Sequence, residues 1–106
     1  MSDVKTAPRA LVLGLGDSGL AMARFLTSHG HSVRVADTRL DPPRLADLRA
    51  ELRQAEFVGG EFSSTLLDDV QLLALSPGLS PTLSSAAPLI KAAHKRKIEV
   101  VGEIEL

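Results

Sequence analysis

The chain has 106 residues, with 12 Lys and Arg against 13 Asp and Glu, a formal net charge of −1, and no Cys, Tyr or Trp. That length suits one small domain over residues 1–106, and the missing cysteines exclude disulfides and thiolate metal sites and fit a cytoplasmic protein. With no basic face and only three Phe, nucleic acid is not an expected partner. No apolar run approaches a membrane span, and Met1–Arg9 lacks signal-peptide anatomy, so no membrane partner is expected either.

The core must be aliphatic, and its pattern alternates between strand and helix. Arg9 to Leu13 reads as a first strand, apolar on both faces as a central parallel strand should be. After Gly16, the residues Gly19, Met22, Ala23 and Leu26 recur at helical spacing, and His29-Gly30 ends that helix. Ser32 to Ala36 reads as a second strand ending at Asp37. Asp41 followed by Pro42-Pro43 looks like an N-cap with proline in the first turn, opening a helix with Leu45, Leu48 and Leu52 inward and running to about Arg53. Its Arg44, Asp47, Arg49, Glu51 and Arg53 read as a solvated face.

Glu56 to Val58 forms a short third strand ended by Gly59-Gly60, and Ser63 to Asp69 holds a brief helical turn. Val70 to Leu75 is a fourth strand, broken by Ser76-Pro77-Gly78. A helix then starts near Thr82 or at Pro88, because proline is tolerated only in a first turn, and runs to about Arg96. Lys91, Lys95, Arg96 and Lys97 crowd the end where the helix dipole favours cations. Ile98 to Val101 is the fifth strand. Five alternations predict an α/β, Rossmann-like, doubly wound fold: a mostly parallel five-stranded sheet of order 3-2-1-4-5 with helices on both faces.

In such a sheet, ligands bind beyond the carboxyl ends of the strands, where the strand order reverses. Three punctuated loops fall on that edge. The first is Gly14-x-Gly16-x-x-Gly19, set between a strand and a helix as a phosphate-binding turn requires. Gly14 permits the tight turn, Gly16 lets backbone approach a pyrophosphate, and Gly19 lets the helix lie against the strand; a merely close-packed turn is the alternative, and the flanking strand and helix favour the phosphate site. Ser18 can donate its hydroxyl to the ligand or cap the helix. The second loop is Asp37-Thr38-Arg39. Asp37 can accept from ribose hydroxyls or make an Asx turn, Thr38 can donate or accept, and Arg39 can lie on a base, reach a phosphate or simply be a surface residue. The third is Ser76-Pro77-Gly78, where the Gly78 N–H can meet a phosphate oxygen or the segment can be a plain turn. His29, His31 and His94 read as structural, and no catalytic or metal-ligating constellation emerges.

The succession Leu13-Gly-Leu-Gly-Asp-Ser-Gly-Leu-Ala21, Asp37-Thr-Arg39, Leu75-Ser-Pro-Gly78 and Val101-Gly-Glu-Ile-Glu-Leu106 resembles the N-terminal domain of the UDP-N-acetylmuramoyl-L-alanine–D-glutamate ligases, the MurD family. The resemblance runs the length of the chain. It implies a domain that holds the UDP part of UDP-N-acetylmuramoyl-L-alanine in cytoplasmic peptidoglycan synthesis. It further implies that Ser18 and the Gly-rich turn meet the diphosphate with Asp17 beside them near the uridine, that Asp37, Thr38 and Arg39 hold the uracil, and that Gly78 closes on the phosphates. ATP and Mg2+ would be used by central and C-terminal domains lying outside this chain, which would end where the central domain begins, so this chain alone would be inactive. Asp17 departs from the family pattern, in which that position often carries an apolar or basic residue; a carboxylate near a diphosphate is unfavourable unless it points away, caps the helix or takes a hydrogen bond from the ribose or base.

Two other readings use the same residues. One is an NAD(H)-binding domain of a dehydrogenase or a nucleotide-sensing regulator, which the Gly-rich turn and Asp37 fit. The other is an interaction module that keeps the fold without a ligand. Fold alone separates none of these.

Overall fold

One strand with two apolar faces sets the architecture. In the computed structural model, which describes residues 9–75 and 83–101, β1 (Arg9–Leu13) runs through the middle of the sheet. Ala10 and Val12 enter one core and Leu11 and Leu13 the other, all of them fully buried. Successive side chains on a strand point to opposite faces, so a continuous apolar run demands cover on both sides.

That cover comes from the connections. On one face lie α1 (Asp17–Ser28) and α2 (Leu45–Glu51), contributing Leu20, Met22, Ala23, Leu26, Leu45 and Leu48. On the other lie a 3-10 turn (Ser64–Leu67) and α3 (Leu83–Lys95), contributing Leu66, Leu67, Leu89 and Ala93. The remaining strands are β2 (Ser32–Asp37), β3 (Glu56–Gly59), β4 (Val70–Leu75) and β5 (Glu99–Val101). All four pairings are parallel and the order is β3-β2-β1-β4-β5, as the alternating pattern predicts. Order therefore reverses between β1 and β4, where Leu13 stands opposite Leu75.

Two helices depart from expectation. Asp41 does not cap α2; the helix begins four residues later, with Arg44 at its N-cap and no side-chain cap. Pro43 disfavours a helical Pro42, and two consecutive prolines supply no N–H. The chain instead makes a turn in which the Leu45 N–H donates to the Pro42 carbonyl at 3.1 Å. The helix also stops at Glu51, short of Arg53. In α3 the start near Thr82 holds and the start at Pro88 does not: Pro88 lies inside the helix, on its exposed side. Its missing N–H leaves one carbonyl of the preceding turn without a helical donor, and the helix nevertheless continues through it to place Leu89 and Ala93 in the core.

The two long helices end in the same way with different residues. After α1, the His31 N–H donates to the Leu26 carbonyl at 3.0 Å and Gly30 sits at φ 87°. After α3, the Ile98 N–H donates to the Ala93 carbonyl at 2.9 Å, but the residue at φ 62° is Lys97. A left-handed C-terminal stop suits glycine, whose missing Cβ removes the steric cost. Lys97→Gly is therefore expected to stabilise the domain by about 0.5–1 kcal/mol. The check is a higher urea midpoint at an unchanged slope; an unchanged or lower midpoint would contradict it.

Candidate functional site

The Gly-rich turn and the corner after β2 are tied together by the chain itself. Gly14, at φ 94°, swings the backbone away from β1, and its N–H donates to the Ala36 carbonyl at 2.7 Å. Leu15 then buries its side chain completely and donates its N–H to Asp37 Oδ2 at 2.8 Å. Gly19 closes the turn from the helix side. A Cβ there would fall 1.9 Å from the Gly14 carbonyl oxygen, so only glycine lets α1 lie this close.

Asp37 is the hub of the corner. Its side chain is 3% exposed and accepts four hydrogen bonds. Oδ1 accepts from the Arg39 N–H and from Arg39 Nε, both at 2.9 Å; Oδ2 accepts from Leu15 N–H and from Arg39 Nη2 at 2.7 Å. Burial alone would push this carboxyl up, but the Arg39 side chain and the two backbone N–H groups outweigh it and hold it below its ordinary value of 3.8. The Asx turn is present, and the carboxylate expected to face ribose hydroxyls has all four lone-pair positions taken by protein donors.

Arg39 is fixed by this pairing yet remains half-exposed, with a side-chain exposure of 53%. Two parallel N–H···O bonds hold a guanidinium plane in one orientation, which readies its face for a planar partner. Behind it, Gly59 lies so close that a Cβ would stand 3.1 Å from the Arg39 carbonyl oxygen, and the Gly60 N–H donates to the Asp37 carbonyl at 2.9 Å. Thr38 is half-buried between them, and the neighbouring Leu40 stands 76% exposed.

At the start of α1 the N-cap is Gly16, with no side-chain cap, so Ser18 leaves its own helix uncapped and stays exposed. Backbone N–H groups at that end carry partial positive charge and lack helical acceptors. A Cβ on Gly16 would meet nothing within 4 Å, and its φ of −106° is open to any residue. The folded chain therefore gives no reason for glycine at position 16. Asp17 is exposed and is bonded by Arg44 Nε from the segment leading into α2.

Of the expected site residues, Gly14, Gly16, Asp17, Ser18, Gly19, Asp37, Thr38 and Arg39 all lie at the carboxyl edge of β1 and β2. Ser76, Pro77 and Gly78 lie outside the described residues; β4 ends at Leu75, beside Leu13. The family model of the Mur ligase MurD-like N-terminal domain matches residues 8–102. The chain belongs to that family. Among similar proteins, the UDP-N-acetylmuramoylalanine–D-glutamate ligase of Cupriavidus metallidurans is 55% identical over 106 residues, covering 100% of this chain and 21% of the relative. That of Burkholderia thailandensis is 57% identical over 99 residues, 92% of this chain and 20% of the relative. The chain thus spans about a fifth of the length of these curated relatives.

Two solved structures share the fold alone. SirC, a precorrin-2 dehydrogenase, has a TM-score of 0.63 at 13% identity, over 100% of this chain and 53% of that one. The Shewanella denitrificans Kef C-terminal domain in AMP-bound form has a TM-score of 0.57 at 18% identity, over 87% of this chain and 55% of that one.

Within this MurD-like domain, sequence reasoning missed four participants. Leu15 enters through its backbone N–H, which no side-chain pattern reveals. Gly59 and Gly60 read as strand-ending residues, yet they form the floor of the Asp37–Arg39 corner. Arg44 read as part of a solvated face, although Asp17, an acidic residue in want of a partner, was the signal that one existed.

Proposed function

We propose that this chain holds the uridine diphosphate of UDP-N-acetylmuramoyl-L-alanine, as the N-terminal domain of a ligase that adds D-glutamate during bacterial peptidoglycan precursor synthesis in the cytoplasm. The observation that carries the reading is the bond from Leu15 N–H to Asp37, which locks the phosphate-type turn and the Thr38-Arg39 corner onto one edge in a MurD-like domain. In this reading the diphosphate lies against the N–H groups after Gly16 and the Ser18 hydroxyl. Thr38 and the clamped face of Arg39 take the uracil, and Gly78 closes on the phosphates. Asp37 serves by holding Arg39 and Leu15 in place.

Ligation itself belongs to the rest of the whole protein. ATP would phosphorylate the substrate carboxylate with Mg2+ present, and the amine of D-glutamate would attack the acyl phosphate. The described residues gather no group of three or more His, Asp or Glu able to hold a metal ion, and none of their helices is long and apolar enough to cross a membrane. The dehydrogenase reading is less well supported, because it asks Asp37 to accept from ribose while its acceptor positions are taken.

Gly16→Ala separates fold from function. The added methyl meets no protein atom within 4 Å, so stability should change by less than about 1 kcal/mol. The same methyl would stand where the diphosphate approaches, and UDP affinity measured by calorimetry should fall about tenfold or more. Unchanged UDP affinity in a normally stable Gly16→Ala chain would refute the site.

A further inference from the structure

Asp17 poses a problem that the structure itself answers. It is the first residue of α1, its side chain is 82% exposed, and it adjoins Gly16 at the end of the helix where an anion is favoured. A free carboxylate there would occupy the favourable potential that a diphosphate needs and would repel it. Arg44 removes that conflict. Its Nε bonds Asp17 while its Nη1 bonds Asp47 at 2.9 Å, so the guanidinium is anchored from two directions. Arg24 and Glu51 continue the seam with bonds of 2.7 and 2.8 Å, and these five side chains line a groove of about 320 Å³ between α1 and α2.

We propose that Arg44 is a positioning residue for diphosphate recognition, acting through Asp17: it neutralises the carboxylate beside the Gly-rich turn, so that the start of α1 accepts a second anion. The inference rests on the functional reading above and adds a residue to it. A stabilising role does not account for the pair, because exposed ion pairs contribute little to folding. Electrostatically, the seam holds Asp17, Asp47 and Glu51 against Arg24 and Arg44. Losing Arg44 strips Asp17 of its bonded cation while Arg24 stays engaged with Glu51, leaving the Asp17 carboxylate uncompensated next to Gly16, well inside the screening distance of about 8 Å at physiological salt.

The test is a double-mutant cycle on the 106-residue chain, with UDP and uridine as probes and binding followed by calorimetry or amide shifts. Arg44→Ala should weaken UDP binding about three- to tenfold and leave uridine, which has no phosphate, unchanged. Arg44→Lys keeps the charge and should stay within about twofold of the unsubstituted chain, which also guards against a folding artefact. Asp17→Asn should tighten UDP about twofold, and in that background Arg44→Ala should cost less than about twofold. The proposal is overturned if Arg44→Ala leaves UDP affinity intact, weakens UDP equally with Asp or Asn at position 17, or weakens uridine as much as UDP. It is also overturned if Arg44→Lys falls with Arg44→Ala. If the unsubstituted chain binds no UDP, the functional reading fails, and this inference with it.

Discussion

Gly19→Ala is expected to destabilise the domain by about 3 kcal/mol and to displace the phosphate-type turn, the severest effect among the glycines of the motif. The new Cβ would lie 1.9 Å from the Gly14 carbonyl oxygen and 2.9 Å from its carbon, far inside any permitted contact. The obstacle is backbone, so no side-chain rotation relieves it. Gly14 cannot retreat easily either, because its N–H is bonded to Ala36 and its φ of 94° is one that glycine alone adopts comfortably. Either α1 moves off the sheet, opening the core around Leu20 and Ala23, or the turn gives up its bonds to β2. For a domain of this size the expected fall in Tm is about 12 °C or more. A Gly19→Ala chain that melts within about 3 °C of the original would show that the close approach of α1 to the turn is not required.

Asp37→Asn is expected to cost about 2–3 kcal/mol at neutral pH, since an amide group must replace one acceptor oxygen among four donors. Whichever way the amide turns, its NH2 confronts either the Leu15 N–H or the backbone and Nε of Arg39. Arg39 then loses part of its clamp, so uridine-nucleotide affinity should fall together with stability. Acid should reproduce the loss in the unsubstituted chain. The Asp37 carboxyl is held below its ordinary value of 3.8 in the fold, so its stabilising contribution is complete above that value and disappears as pH falls through the lower folded value. Urea midpoints measured from pH 7 down to about pH 2.5 should therefore converge for the two chains only below about pH 4. A constant gap across that range would mean that the carboxylate's charge contributes nothing.

The sheet order was legible because β1 and β4 are apolar on both faces and only a central parallel strand needs that. The Gly-rich turn was legible in the same way, since its three glycines have distinct spacing and a strand and helix on either side. What the sequence conceals is the partner of each polar group. Asp37 reads equally well as a ribose acceptor or as an Asx turn; its taken acceptor positions become visible only when Leu15, twenty-two residues earlier, comes alongside. Periodicity alone puts Arg44 on the charged face of the second predicted helix, and nothing local distinguishes a solvated arginine from one reaching Asp17 on another helix. The start of α2 and the interior Pro88 show the limits of single-residue rules. Paired prolines delayed one helix, whereas another runs from Leu83 to Lys95 straight through Pro88.

The decisive measurement is a titration of the chain with UDP, followed residue by residue through backbone amide NMR, with NADH as the comparison. If turns far apart in sequence surround one uridine diphosphate, the amides of Gly16, Ser18, Thr38 and Gly78 should shift together, with a single dissociation constant, while NADH moves them little. Shifts confined to one of these turns, or a stronger response to NADH than to UDP, would contradict it.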